Sequence, residues 1–364
     1  MAHQLDCPSC GADVKVKRGA VSAVCSYCGG SVIIPEELRG QPVYTRAATP
    51  PVKGCGSGIT IAVGLAALLV AGIGALVFYL TAAATEEKSF NSMVNSVLSP
   101  GAVSPDLVFG GTGSGRGYFQ DPSCIAADGA GRIFVGERES GRVQVFDENG
   151  IFIDQWTYAP RGEYYLMSMS SSRSGELYLC YDSEIFIHNG ETGELQGNLC
   201  HPDGWGFEDV DVASDDRILA SWYCNRDDLI MFNSHGGVDL LVRDAVSGLT
   251  GDSELSMTVA AGNTGELYVF GSFNSVILVY NSSGDFTDRF GDEMFTMPSG
   301  LDVDPQGRLW VSDFGDLLVF SQSGTLLNTI DPGVNVIDFV IDDRGRLWGL
   351  TIDDEVVMID VSQL

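Results

Sequence analysis

The five residues Gly131–Val135 (Gly-Arg-Ile-Phe-Val) decide the fold: a small residue, a polar residue and then an apolar–aromatic–apolar run. The same pattern returns five more times, at intervals of 38 to 49 residues. The other copies are Gly175–Leu179, Asp216–Ala220, Gly265–Val269, Gly307–Val311 and Gly345–Gly349. A repeated period of this length is typical of the four-stranded blades of a β-propeller.

Further strand-like runs surround the pattern in each repeat. In the first repeat Ser123–Ala127 precedes it, and Arg142–Phe146 and Ile151–Trp156 follow it, with turn residues between them. Four strands in each of six repeats, without helices, predict an all-β fold, a six-bladed β-propeller. The last repeat ends with its third strand, Val356–Asp360, whereas the unassigned strand Leu107–Gly110 precedes the first repeat. We expect Leu107–Gly110 to complete the last blade, because a ring with an unpaired edge strand could open.

The repeats resemble those of the NHL-repeat family. The resemblance is best from Phe119–Pro122 through Asp147–Gly150 and from Met297 through Ser321–Gly324, and it covers residues 105–364. It implies a six-bladed propeller. Resemblance to the wider superfamily also implies an alternative activity, since that superfamily includes lactonases and lyases that hold a metal in the central funnel.

Four cysteines near the N-terminus form two CxxC pairs, Cys7 with Cys10 and Cys25 with Cys28. Two such pairs can bind one Zn²⁺ tetrahedrally through four thiolates. The segment is similar to a zinc ribbon, and we expect one structural zinc ion there. A pair of redox-active dithiols is the competing interpretation, but such motifs lie in a βαβ pattern that this short segment lacks.

The 22 residues Ile59–Leu80 contain no charged side chain. As a helix they would be about 33 Å long, which is enough to cross the hydrocarbon core of a bilayer. We therefore predict a zinc ribbon at 1–38, a linker at 39–58, a transmembrane helix at 59–80, a stalk at 81–104 and the propeller at 105–364. Ala67, Ala71 and Ala75 are spaced to permit a homodimer through this helix.

Charge predicts the orientation and excludes one class of partner. Arg39, Arg46 and Lys53 precede the span, whereas Glu86, Glu87 and Lys88 follow it. Positive residues stay on the cytoplasmic side, so we expect a single-pass protein of the cell membrane with its N-terminus in the cytoplasm and an extracytoplasmic propeller. The chain after residue 58 has a net charge of −31. Such a surface repels phosphates, so we expect no nucleic acid at the propeller.

The propeller contains few histidines and cysteines that could bind a metal ion. Its three histidines are His188, His201 and His235, which fall outside one shared site by the strand assignment. A calcium site made of acidic side chains and carbonyl oxygens stays open, since Asp and Glu are abundant. Cys124 and Cys180 are expected in the core. Cys200 and Cys224 lie in neighbouring connections and could form a disulfide bond.

Four aromatic residues stand near neighbouring loops of the third blade: Trp205, Phe207, Trp222 and Tyr223. Aromatic side chains on loops anchor partners, although the same residues could instead fill gaps between blades. The sequence thus favours a membrane-tethered binding or scaffold protein whose propeller recognises a protein, peptide or glycan. The alternative is a membrane-anchored hydrolase or lyase with a calcium-type site in the central funnel. A third possibility is signalling from the propeller to the cytoplasmic ribbon.

Overall fold

A computed structural model describes residues 103–364 and the backbone of four short strands near the N-terminus. The chain divides into two units, residues 1–87 and residues 88–364. In the first unit, β1 pairs antiparallel with β2, and β3 pairs antiparallel with β4. Their bounds are Gln4–Asp6 (β1), Asp13–Lys15 (β2), Ser22–Val24 (β3) and Ser31–Ile33 (β4).

Several predictions from the sequence fall outside the described residues. These are the four zinc-binding cysteines, the linker at 39–58, the span at 59–80 and the stalk as far as residue 102. Each of the two described hairpins nevertheless encloses one CxxC pair in its connection. Within the described residues, no helix is long and apolar enough to cross a membrane.

The second unit is a six-bladed β-propeller, and each blade is a four-stranded antiparallel sheet. Blade 1 consists of Pro122–Ala127 (β6), Ile133–Glu137 (β7), Arg142–Phe146 (β8) and Phe152–Thr157 (β9). Blade 2 consists of Ser168–Ser171 (β10), Glu176–Tyr181 (β11), Glu184–Asn189 (β12) and Leu195–Leu199 (β13). Blade 3 consists of Phe207–Val212 (β14), Ile218–Tyr223 (β15), Asp227–Phe232 (β16) and Val238–Val242 (β17). Blade 4 consists of Met257–Ala261 (β18), Leu267–Gly271 (β19), Val276–Tyr280 (β20) and Phe286–Phe290 (β21). Blade 5 consists of Pro298–Val303 (β22), Leu309–Asp313 (β23), Asp316–Phe320 (β24) and Leu326–Ile330 (β25). Blade 6 consists of Val336–Ile341 (β26), Arg346–Thr351 (β27), Glu355–Asp360 (β28) and Leu107–Gly110 (β5). The predicted architecture and strand order of the propeller are confirmed.

The ring closes as the sequence predicts. The strand β5 pairs antiparallel with β28, placing Phe109 opposite Val356 and Leu107 opposite Met358. The first strand of the propeller thus becomes the outer strand of the last blade. No blade is left with three strands, so this edge of the ring is paired.

The core lies between the blades. The described residues contain six clusters of buried hydrophobic side chains, and each cluster joins two neighbouring blades. Between blades 6 and 1, for example, Trp348 packs in one cluster with Ile133 and Phe146. The aromatic residue of the repeated pattern therefore supplies the apolar area that joins one blade to the next.

The turn before the repeated pattern is held by its own aspartate. In blade 5 the Asp304 carboxylate accepts bonds from the backbone N–H of Gln306 and Arg308, from the Arg308 Nε (2.6 Å) and from the Trp310 Nε1 (2.8 Å). The Arg308 guanidinium also lies over the Trp310 ring. Asp342, Arg346 and Trp348 repeat this arrangement in blade 6. These aspartates stabilise the turns before the repeated pattern.

One expectation about the propeller was wrong in detail. It contains a one-turn helix, α1 (Ser247–Thr250), in the connection between blades 3 and 4. This connection runs from residue 243 to residue 256. The additional turn explains why the longest interval between repeats lies here.

Candidate functional site

The two ends of the propeller differ in the side chains that they expose. We define the top face as the end formed by the loops between second and third strands and by the connections between blades. Of the large hydrophobic side chains exposed in loops of residues 103–364, all except Ile151 and Leu364 lie on this face. They are Tyr118, Tyr165, Met167, Trp205, Leu249, Leu255, Phe273, Met294, Met297, Phe314 and Ile352. Apolar exposure of this extent marks a candidate interaction surface.

Buried carboxylates hold the loops of the top face in place. The Glu254 side chain accepts bonds from the backbone N–H of Leu255 (2.9 Å), Ser256 (3.0 Å), Phe273 (3.2 Å) and Asn274 (3.1 Å), and from the Asn274 amide. It therefore ties the connection between blades 3 and 4 to the β19–β20 loop. The exposed side chains of this region extend from fixed backbone, which reduces the entropy lost on binding.

A second carboxylate does the same between blades 4 and 5. Asp313, at the end of β23, accepts bonds from the backbone N–H of Thr296 and Met297. The connection from blade 4 is thus held against the second strand of blade 5. In blade 1, Glu137 at the equivalent strand end accepts a bond from the backbone N–H of Gln120.

The structure separates the four aromatic residues singled out in the sequence. Trp205 is 67% exposed and Tyr223 is half-buried, whereas Phe207 and Trp222 are 3% and 2% exposed. Phe207 and Trp222 lie opposite each other on β14 and β15 and pack into the core between blades 2 and 3. They fill an inter-blade gap, so their prediction as partner-binding residues is corrected. Of the four, Trp205 and Tyr223 remain at the surface.

Trp222 packs against a network of polar side chains beside Trp205, in which the buried His201 Nε2 has no hydrogen-bond partner among the described residues. Its ring stacks on His201, with centroids 4.0 Å apart. Asp203 donates its backbone N–H to the His201 Nδ1 (3.1 Å), so the imidazole proton is assigned to Nε2, which lies 3.5 Å from an oxygen of buried Asp228. Burial lowers the pKa of His201 more than Asp228 raises it.

This network does not fit a metal ion, although His201, Asp203 and Asp228 could approach one together. Arg226 and Arg243 each form ion pairs with both aspartates. Two guanidinium groups already balance two carboxylates, and the His201 Nε2 carries the proton that a metal would have to displace. We interpret the network as a charge-balanced group of side chains that holds the connection between blades 2 and 3 against blade 3.

An axial channel of about 830 Å³ runs between the first strands of all six blades. Its acidic side chains bind the backbone of the following blade. Asp209 and Asp211 accept the N–H of Val259 and Ala261, both at 2.8 Å. Asp302 accepts the N–H of Ile341 (2.6 Å), and Asp338 accepts the N–H of Ile125 (2.9 Å). These aspartates join neighbouring blades around the channel.

Burial in the channel makes the carboxylates harder to ionise. Desolvation raises the pKa of Asp338 to about 7 and that of Asp209 to about 6. It also raises the pKa of Asp211 and of Asp302. Glu208, on the same wall, has its pKa raised to about 7 by the same cause. Burial therefore outweighs the hydrogen bonds that favour the charged forms of these carboxyl groups.

The channel acids line the wall without converging. Within the described residues, no three of them place their oxygens as close together as the His201 group does. Calcium requires six to eight oxygen ligands around one point. Four of the channel carboxylates already accept bonds between blades, and a calcium ion bound there would also need carbonyl or water oxygens.

The other histidines and the cysteines lie away from the channel centre or are enclosed. His188, on β12, stacks on Trp156, and His235 lies in the β16–β17 turn. Cys124 and Cys180 are buried as predicted, and burial raises the pKa of both thiols. Cys200 and Cys224 are both free thiols in this structure.

The buried carboxylates Glu254 and Asp313 and the channel aspartates were not predicted from the sequence. A signal existed for the channel aspartates, since Asp211, Asp302 and Asp338 each stand between two apolar residues of a first strand. A charged residue within such a strand indicates a specific partner. No comparable signal marks Glu254, which lies in a polar connection.

Comparisons with known proteins agree with this fold. The family model described as NHL repeat matches residues 119–146. Over 54 residues the chain is 44% identical to protein lin-41 of Caenorhabditis elegans, which is 15% of this chain and 5% of that protein. The chain thus spans a small part of that relative.

Solved structures share the propeller at low sequence identity. A candidate gluconolactonase superposes with a TM-score of 0.54 at 12% identity, covering 72% of this chain and 93% of that one. A gluconolactonase of Xanthomonas campestris gives 0.52 at 17% identity, covering 66% and 86%. A luciferin-regenerating enzyme gives 0.51 at 11% identity, covering 66% and 90%. At such identities the likeness shows the fold alone. The chain therefore contains an NHL repeat at residues 119–146, within a six-bladed β-propeller.

Proposed function

We propose that the propeller is a binding module that docks a protein partner on its top face. The observation that carries this proposal is the one-sided exposure of large hydrophobic side chains on loops fixed by buried carboxylates. The NHL repeat supports it, since propellers with this repeat are a protein-interaction fold. Exposed aromatic residues and methionines are the side chains enriched in interfaces between proteins.

The rest of the chain suggests where this module acts. We propose that residues 59–80 tether it to a membrane as a single span, with the propeller outside and the cysteine-rich segment in the cytoplasm. The uncharged sequence of the span and the upstream basic residues support this arrangement. Protease added to intact cells should then cut the propeller side and spare the N-terminal segment. Protection of the propeller instead would reverse the orientation.

We further propose that Cys7, Cys10, Cys25 and Cys28 hold one structural zinc ion. Two short hairpins, each enclosing one CxxC pair in its connection, support this proposal. A site with four thiolate ligands is coordinatively closed, so its role would be to fold the segment.

Site-specific photo-crosslinking in native membranes tests the binding function. A photoreactive amino acid replaces Trp205 or Phe273 on the top face, or Ser214 or Gln306 in loops of the opposite face. We expect one partner protein to be crosslinked from both top-face positions and from neither control position. Equal crosslinking from the two faces, or none from the top face, would contradict the proposal.

A further inference from the structure

We infer that one part of the top face docks a basic amphipathic segment of the partner protein. This part consists of Leu255, Phe273, Met294, Met297 and Phe314, which we call the apolar sector. The inference rests on the proposed function, because it specifies the chemistry of the partner at the same face.

The apolar sector is continuous across blades 4 and 5. Glu254 bonds to the backbone of both Leu255 and Phe273, which brings their loops together. The connection from residue 291 to residue 297 follows, and its Phe295 packs on Phe270 of blade 4 and on Phe320 of blade 5. This connection therefore covers the boundary between the two blades and presents Met294 and Met297.

The last member of the sector adjoins the same connection. Asp313 holds the backbone of Met297 and directly precedes Phe314 in the chain. Phenylalanine and methionine thus stand at neighbouring strand ends. Methionine is flexible and polarizable, so it adapts to the shape of an apolar partner.

Phe314 occupies a backbone position that does not suit it. Its φ is +52°, and Gly315 follows at +98°, in the two-residue turn between β23 and β24. The corresponding turn of blade 2 uses Asp182 and Ser183 with φ of +52° and +59°. Left-handed backbone favours Asn, Asp or Gly and is unusual for a bulky residue. Phe314 is also 51% exposed, so this unusual backbone position presents an aromatic side chain at the surface.

Charge decides what kind of apolar partner fits. The top-face loops from residue 244 onward contain no Lys, Arg or His. The two nearest arginines are already paired, Arg243 with Asp203 and Asp228, and Arg289 of β21 with Asp292. Exposed carboxylates surround the apolar sector at Asp252, Glu293 and Asp316, and burial together with the charges of Asp331 and Asp313 raises the pKa of Asp316. The loops of blades 1 to 3 differ, because they contain Arg116, Arg138, Arg161 and Arg226. An apolar surface with an acidic border complements a helix or strand that is apolar on one side and basic on the other.

The same charges disfavour other occupants. Nucleic acid and anionic lipid headgroups would be repelled by the acidic border. A second copy that presented the same apolar sector would bring an acidic border of equal sign. A basic peptide gains both the apolar contact and the electrostatic attraction.

The test uses the full-length chain in detergent micelles and labelled amphipathic peptides of about 18 residues, long enough for about five helical turns. One peptide combines Leu with Lys, and its counterpart has Glu at every Lys position. We expect the Lys peptide to bind at least about tenfold more tightly by fluorescence anisotropy. The double variant Phe273→Ser/Phe314→Asn should weaken binding of the Lys peptide by about tenfold or more. The control Ile151→Ser, at an exposed apolar residue outside the top face, should change the affinity by less than about twofold.

Equal affinity for the two peptides, or equal affinity of the double variant and the parent chain, would overturn the inference. The variants are compared only where near-ultraviolet circular dichroism matches the parent chain. Phosphatidylserine vesicles form a separate arm, and their binding through Phe273 and Phe314 would replace the peptide by a membrane surface. If the Lys peptide fails while photo-crosslinking still captures a partner from the top face, this inference fails and the proposed function stands.

Discussion

Val108 lies directly opposite Val357 in an antiparallel pair, so the first strand of the propeller and the last strand of the chain form one blade. The backbone N–H of Gly111 also bonds to the carbonyl oxygen of Asp354 (2.7 Å), which extends the contact beyond the strands. Opening the ring requires these bonds to break together.

Deletion of residues 105–110 should therefore destabilise the propeller strongly. It removes β5 and leaves the N–H and C=O groups of β28 that face β5 without partners. We expect the melting temperature to fall by on the order of 10 °C or more, as measured by circular dichroism. A deletion of 85–98 in the predicted stalk is the control and should change it little. Equal losses from the two deletions would show that closure contributes nothing specific.

Phe109 and Val108 provide a finer test of the same strand. The Phe109 ring contacts Phe146 of blade 1, with centroids 4.8 Å apart, whereas Val108 is about half-exposed. Phe109→Ala should cost about 2–3 kcal/mol in the free energy of unfolding because it leaves a cavity between blades 6 and 1. Val108→Ala should lower the free energy of unfolding by about 0.5 kcal/mol or less, with both variants measured by urea unfolding. A reversed order would place β5 with the wrong face toward the core.

The fold of the propeller could be predicted from sequence because one local signal recurs in it. An apolar–aromatic–apolar run fills each gap between blades, and the turn before it is specified by nearby residues such as Asp304 and Arg308. The closure of the ring could be predicted because Leu107–Gly110 was the one strand that belonged to no repeat.

The sites were less predictable because they depend on which residues meet through space. Phe207 and Trp222 stand at strand ends, where one residue of register decides between a loop surface and the core. Glu254 acts through the backbone of a loop about 20 residues away in sequence, which no local pattern announces. Local sequence patterns therefore indicate strands and turns better than they indicate such long-range contacts.

Glu254→Ala should loosen the loops that carry Leu255 and Phe273. Four backbone N–H groups lose their acceptor, and we expect a cost of about 2–3 kcal/mol in the free energy of unfolding. Hydrogen exchange of the amides at 255, 256, 273 and 274 should accelerate. Asp252→Ala, at an exposed position of the same connection, is the matched control. Unchanged exchange in Glu254→Ala would mean that other contacts hold these loops.

The channel predicts an unusual pH dependence at Asp338. Its pKa is raised from 3.8 to about 7, so between these values the folded chain binds a proton that the unfolded chain has lost. This group therefore lowers stability as pH rises from about 4 to about 7. The difference in free energy of unfolding between Asp338→Asn and the parent chain should therefore move in favour of the variant by about 2 kcal/mol from pH 4.5 to pH 8. This is less than the full pKa shift implies, because water in the channel screens the charge.

The control for this pH effect has the opposite sign. Hydrogen bonds from the backbone of Ile151 and Asn149 lower the pKa of Asp147 in the β8–β9 turn. Its contribution to stability is present above its usual pKa and is lost as pH falls. Asp147→Asn should therefore be more harmful at neutral pH than in acid, as measured by urea unfolding at each pH. Parallel pH profiles for the two variants would contradict the assignment of Asp338.

The N-terminal segment should bind one zinc ion. The expected ligands are the thiolates of Cys7, Cys10, Cys25 and Cys28, and a segment this small gains most of its folding energy from the metal. A peptide of residues 1–58 under reducing conditions should contain zinc at a ratio of about one by metal analysis, and a chelator should unfold it. Cys25→Ser should abolish stoichiometric binding, whereas Cys55→Ser, outside the two pairs, should retain it. Equal loss from both substitutions, or no zinc in the parent peptide, would refute a four-cysteine site.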